Sequence, residues 1–214
     1  RGSYEWVRRD IDNDTIRKYE GELKSNFFGK IKYFNDIGLG KEMPHGKGTY
    51  IYYGYGWQTK NNEIVFVGEF RDGKKFQGTQ TWPDGLKYEG EFKNVFTHKQ
   101  DSFHGQGTMI WPDGKKYIGQ WKNGQFHGQG TMIWPDGSMY VGKFLDWGSK
   151  LFNSYPSTFR DDPREHYFHG HGTFTFPDGR KYVGEYESNK PLNIKHYNKD
   201  GEIIREWIYG DKVY

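Results

Sequence analysis

The side chains of this chain best suited to chemistry are its histidines and acids. His166, His169 and His171 lie close enough in sequence to share a metal ion, with Asp161, Asp162 and Glu165 just upstream. Strand alternation places His169 and His171 on one face. No carboxylate can be set beside them from sequence, and the three acids read as solubilising residues. His104, His127 and His169 each precede a glycine in segments that otherwise match, which suits turns or packing rather than catalysis. Glu22, Glu69, Glu91 and Glu185 also recur at one matching place. They read as a solvated ladder, the alternative being a stripe that selects basic partner residues. No Gly-x-Ser-x-Gly elbow, Gly-Lys-Ser/Thr phosphate loop or His-Glu-x-x-His pair occurs. The expectation is no catalytic residue, no cofactor and no metal: a chain that is not an enzyme.

The elements that carry these residues must be built mainly from rings. Hydrophobic residues make up only 33% of the 214, and 19% are aromatic, so more than half of the apolar set is Phe, Trp and Tyr. Thirty glycines accompany them. Rings beside residues without side chains point to a thin structure in which a ring lies over a neighbouring backbone. The balance of 31 Lys+Arg against 28 Asp+Glu, without a basic run, argues against nucleic acid. Cysteine is absent, which excludes disulfides and thiolate metal sites. No stretch approaches 18 apolar residues, so a cytoplasmic protein is expected.

Repetition organises the chain. "FHGQGTMIWPDG" occurs at Phe103–Gly114 and again at Phe126–Gly137, and looser copies surround it. First halves read "YEGEL" (19–23), "FVGEF" (66–70), "YEGEF" (88–92), "YIGQW" (117–121), "YVGKF" (140–144) and "YVGEY" (182–186). Second halves read "HGKGTY" (45–50), "QGTQTWPDG" (77–85), the two duplicates and "HGHGTFTFPDG" (169–179). Each half is predicted to be a strand, because the matching side chains stand two residues apart. Tyr117, Gly119 and Trp121 then share a face against Ile118 and Gln120. Trp-Pro-Asp-Gly and Phe-Pro-Asp-Gly supply the hairpins: proline presets φ, aspartate bonds back to the backbone, and glycine takes positive φ.

These residues resemble the MORN repeat, whose pattern YxGxWxxGxxHGxGxxxxxDGxxY reads almost letter for letter from Tyr117 to Tyr140. The resemblance implies an all-β fold: an elongated, twisted single-layer antiparallel sheet of stacked β-hairpins. About five full repeats and a half-repeat span 19–193, with insertions near 24–44, 54–65, 93–103 and 145–168. Three insertions share one place in their repeats and should leave the sheet along one edge. The last holds Trp147, Phe152, Tyr155, Phe159, Tyr167 and Phe168, too many rings for a mere span. Arg1–Ser3 reads as the remnant of an engineered tag. Residues 4–18 are an N-terminal cap, helix or strand, and 194–214 a C-terminal cap with an aromatic strand around Asn198–Gly201.

A single layer with one aromatic face must curl, stack its rings over glycine or accept a ligand. Each ring individually reads as core, and curvature leaves a groove along them. The groove candidates are Phe66, Phe70 and Trp82; Tyr88, Phe92 and Trp111; Tyr117, Trp121 and Trp134; Tyr140, Phe144 and Phe176; and Tyr182 with Tyr186. Trp147, Phe152, Tyr155 and Phe159 are the insertion contacts. Regular rings suit an extended peptide or a helix. The resemblance likewise implies a scaffold or adaptor that binds proteins, with cytoskeletal or membrane association. It also implies two alternatives, a phospholipid-binding surface and a regulatory segment like those of phosphatidylinositol-phosphate kinases. Lys30, Lys32 and Lys41, or Lys74 and Lys75, come nearest to the basic cluster that anionic lipid requires. A homodimer through a terminal hairpin is a further expectation.

Overall fold

A computed structural model describes residues 2–10, 13–25, 42–53, 63–94, 101–145, 168–187, 189–208 and 211–213. The chain divides into two compact units, Arg1–Pro112 and Asp113–Tyr214. The first holds β1 (Gly2–Asp10), β2 (Asn13–Ser25), β3 (Glu42–Tyr53), β4 (Glu63–Arg71), β5 (Lys74–Thr81), β6 (Lys87–Asn94) and β7 (Asp101–Ile110). The second holds β8 (Lys116–Lys122), β9 (Gln125–Ile133), β10 (Met139–Phe144), β11 (Phe168–Thr175), β12 (Lys181–Glu187), β13 (Lys190–Tyr197), β14 (Ile203–Ile208) and β15 (Asp211–Val213). Within each unit every strand pairs antiparallel with its chain neighbours, so each sheet is a succession of hairpins in sequence order. The described residues contain no helix.

The turns form as their residues dictate. At Trp82–Leu86 the Gly85 N–H donates to the Trp82 carbonyl at 3.0 Å, and the Trp82 N–H to the Leu86 carbonyl at 2.9 Å. Asp84 Oδ1 accepts the Leu86 N–H at 3.0 Å while Gly85 sits at φ 91°. The same bonds recur at Trp134–Ser138 and Phe176–Arg180. The two backbone bonds recur again at Asn198–Glu202, where Asn198 Oδ1 accepts the Asp200 and Glu202 N–H groups, so this segment is a turn between β13 and β14 rather than the aromatic strand expected there. The reason is local: Gly201 takes the positive φ, at 90°, and Asn198 supplies the side-chain acceptor, without the Trp-Pro or Phe-Pro that marks the other copies.

Residues 4–10 and 13–18 take the strand alternative, in β1 and β2, and Gly2 and Ser3 open β1. Parts of the insertions are also ladder, since Ser25 pairs with Glu42 and Asn94 with Asp101. In unit 1 the β2–β3 and β6–β7 connections leave the same end of an antiparallel succession, and β3–β4 leaves the other. Trp147, Phe152, Tyr155, Phe159, Tyr167, His166 and the acids at 161, 162 and 165 lie outside the described residues, as do Lys30, Lys32 and Lys41.

The core is a layer of rings on one face. Glycines form unbroken cross-strand rows, Gly21–Gly48–Gly68–Gly78–Gly90–Gly107 in unit 1 and Gly119–Gly130–Gly142–Gly172–Gly184 in unit 2. Tyr117 lies flat across Gly119 and Gly130: a methyl on Gly130 would stand 2.6 Å from its hydroxyl and 2.7 Å from Cε2. Tyr19, Phe66, Tyr88 and Tyr140 cover their glycine pairs in the same way. The covered backbone thus belongs to the ring's own strand and its hairpin partner. Phe103, Phe126 and Phe168 roof Tyr88, Tyr117 and Tyr140 as stacked rings, with centroids 3.8–4.0 Å apart. Edge-to-face contacts then link successive repeats, as Tyr19–Phe70 and Phe66–Phe92 in unit 1, and Tyr117–Phe144 and Tyr140–Tyr186 in unit 2. Each such pair contributes about 0.5–1.5 kcal/mol beyond its buried area.

Candidate functional site

A β-bulge in each repeat positions the polar residues. Register shifts between Gly90 and Glu91 and between Gly119 and Gln120, where Gly105 and Gly128 on the facing strands adopt φ 62° and 57°. The bulge frees a carbonyl that the covering tyrosine then takes: Tyr117 donates to the Gln120 carbonyl at 2.9 Å, Tyr88 to that of Glu91 at 2.9 Å and Tyr19 to that of Glu22 at 2.8 Å. Burial pushes the Tyr19 phenol up to about 12, with Glu22 adding to the shift, and burial raises Tyr117, Tyr140 and Tyr186 further still.

One of the recurring acids, Glu91, serves this bulge. Glu91 Oε1 accepts the Gln106 N–H at 3.0 Å, and Gln120 Oε1, at the matching place, accepts the Gln129 N–H at 3.1 Å. Glu69 instead holds Arg71 at 2.9 Å, and Glu185 lies 3.3 Å from His171. The sequence could have revealed the bulge role through Gln120, because a carboxamide replaces the carboxylate where only an acceptor is needed. His171 is exposed, whereas His169 has its Nδ1 buried, and Gly170 at φ 60° interrupts the alternation that put the two on one face. Among the described residues no three metal-ligating side chains come together.

The groove candidates differ sharply in exposure. Phe66, Phe70, Trp82, Tyr88, Phe92, Trp111, Tyr117, Trp121, Tyr140, Phe144 and Tyr186 are buried. Trp134, Phe176 and Tyr182 are half-buried. Among the described residues the ring layer is therefore largely occupied by its own members in both units; Tyr50 is half-buried in unit 1, and a longer half-buried run lies within unit 2. There Trp134 meets Phe174 at 5.5 Å, Phe174 meets Phe176 at 4.9 Å and Phe176 meets Tyr182 at 4.9 Å. Tyr182 in turn meets His196 at 4.7 Å and Trp207 at 5.7 Å. Sequence reasoning missed Phe174, His196 and Trp207. The last two were missed because β13 and β14 lack the repeat pattern while continuing its pairing, with Tyr182 opposite His196 and Ile194 opposite Trp207.

The opposite face is different. Val67, Ile118 and Val141 are exposed there, and in unit 2 the row Ile118–Thr131–Val141–Thr173–Val183 runs from strand to strand. In unit 1 a shallow groove of about 730 Å³ lies on this face, lined by Glu20, Glu22, Lys47, Thr49, Val67, Glu69 and Gln77.

These features define a class: single-layer antiparallel repeats in which each hairpin shelters a ring over paired glycines. The family model of the MORN repeat matches residues 43–57, 66–87, 99–116, 117–139 and 164–179. The chain is a MORN-repeat protein, as its sequence resemblance implied. Such repeats generally bind proteins or membranes. No curated protein matches the chain. Among solved structures it is similar to a mutant of the TCP10 domain of Danio rerio CPAP, at 15% identity over 97% of this chain and 95% of that one. The TM-score is 0.25, too low for that likeness to bear on fold or function.

Proposed function

We propose that the chain is a non-catalytic binding module that receives a protein partner, an extended peptide or a helix, on its ring face. The observation that supports this is the run Trp134, Phe174, Phe176 and Tyr182 in unit 2, whose half-buried rings touch one another in succession while most candidate rings are buried. Such rings bring large contact area at low entropic cost, and a half-covered row leaves that area to a partner. The test is site-specific photo-crosslinking in native extract, with the reactive group at position 176 or at position 118 on the other face. Adducts from 176 and not from 118 are expected; adducts only from 118 refute the reading.

A second reading, an anionic lipid surface, draws on the opposite face of unit 2. Exposed Ile118 and Val141 lie there with Lys116, Lys143 and Lys181 at neighbouring positions of the same pleat. Glu185 and Glu187 on β12 weaken it. Phosphatidylserine vesicles that pellet the protein at low salt, and fail to do so after Ile118→Glu, would replace the first reading with this one.

A further inference from the structure

The open end of the ring layer in unit 2 carries polar atoms that its packing leaves unserved. His196 Nε2 and Trp207 Nε1 are both buried without a hydrogen-bond partner, and both rings pack on Tyr182. An indole N–H is a donor and nothing else, and burying it unpaired costs on the order of 1–3 kcal/mol. The residues themselves are half-buried, so a side-chain rotation of the kind common at interfaces would bring these atoms to a partner.

The charges around them are unequal. Arg205 pairs with His196 across β13 and β14, and Arg180 lies over the Phe176 ring at 5.1 Å while bonding Asp178 at 2.6 Å. His196 is held below its ordinary value by burial first, then by Arg180 and Arg205, which outweigh the opposing pull of Asp178. Glu202 is engaged within its own turn by Asn198 at 2.8 Å, and Glu206, beside Trp207, faces Lys195 at 3.5 Å. At His196 the balance of neighbouring charge is therefore positive.

We infer that the ring face at Phe176, Tyr182, His196 and Trp207 is a subsite for an acidic segment of the protein partner: a carboxylate accepts from the Trp207 indole and faces Arg205 while an adjacent apolar side chain covers Phe176 and Tyr182. The assignment rests on the protein-binding reading above and deepens it by stating the partner's chemistry. A lone acid would gain little at so exposed an arginine. The indole donor and the half-buried rings add the direction and the apolar contact that make the site selective.

Short random peptides displayed on phage and selected on the whole chain test this. Winners are expected to carry Asp or Glu beside Phe, Leu or Trp. A synthetic winner should bind about fivefold more weakly to Trp207→Phe, which keeps an aromatic ring and loses the donor, and about tenfold more weakly to Arg205→Glu. Changing its acids to amides should cost about tenfold, and Ile118→Glu on the other face should cost nothing. Both protein replacements must melt as the parent does, which a retained aromatic ring at a half-buried position and an exposed arginine allow. Winners indifferent to both replacements, or rich in Lys and Arg, overturn the subsite and leave the broader reading standing. Failure to enrich any peptide overturns both.

Discussion

Replacing Gly130 with alanine tests the packing on which both units depend. The position lies in β9 outside the left-handed region, so its backbone accepts alanine without strain. The obstacle is Tyr117: the new methyl would lie 2.6 Å from the phenol oxygen, 2.7 Å from Cε2 and 2.8 Å from Cζ. The ring cannot lift away, because Phe126 stacks on it at 3.8 Å and Trp121 and Phe144 hold its edges at 5.2 and 5.0 Å. Overpacking of this kind costs about 1–3 kcal/mol. A displaced phenol also loses its bond to the Gln120 carbonyl, about 1 kcal/mol more. Up to about 1 kcal/mol returns because alanine restricts the unfolded chain. The net expectation is a loss of about 1–3 kcal/mol, read from the denaturant midpoint by tryptophan fluorescence. Gly137→Ala is the control: nothing lies within 4 Å of its new methyl, and only its φ of 88° opposes it, at about 1–2 kcal/mol. In a Tyr117→Phe background the nearest atom is gone but Cε2 and Cζ remain, so the penalty at Gly130 should shrink without vanishing. A Gly130→Ala protein within about 0.5 kcal/mol of the parent would refute the ring-over-glycine account, that margin being the usual range of harmless substitutions.

Other outcomes follow from the same contacts. Lys75 is buried where the other repeats place Phe103, Phe126 or Phe168, donating to Gln80 at 2.8 Å with Phe66 5.2 Å away. Changing both, Lys75→Phe with Gln80→Met, should raise stability by about 1 kcal/mol or more, while Lys75→Phe alone should gain less because Gln80 stays buried without its donor. Glu91→Ala should cost about 1 kcal/mol by leaving the Gln106 N–H without its acceptor, and Glu91→Gln should cost almost nothing, as Gln120 already shows in the next repeat. Because burial raises the phenols of Tyr19, Tyr117, Tyr140 and Tyr186, the stability they lend is fully present below the ordinary tyrosine value of 10.0 and is lost as pH rises, through about 12 for Tyr19. Denaturant midpoints should therefore fall from pH 10 upward, and parallel phenolate absorbance should show part of the tyrosines ionising only on unfolding. A midpoint flat to pH 12 contradicts the burial.

The repeat pattern made the strands and their turns legible, since Pro-Asp-Gly after alternating residues admits few backbones and the bonds at Trp82–Leu86 are those its chemistry predicts. The tail was harder to read. Asn198–Glu202 uses the same turn without the flanking Trp-Pro, so a pattern keyed on tryptophan misplaced it, and with it went Trp207 and His196. Glu91 was hard to read for another reason: an acceptor aimed at a bulge N–H and an acceptor aimed at solvent look alike until the bulge is seen.

The amino-acid order alone determined that rings and glycines alternate down hairpins, because side-chain direction in a strand follows from position parity and turns from local residues. Which rings are spent on each other and which stay half open is a different kind of fact. It depends on how far Phe126 reaches over Tyr117, on the bulge that turns Tyr117 toward a carbonyl, and on two unpatterned strands ending the layer at Trp207. Burial is a property of neighbours brought together across the sheet, so only the folded chain decides it.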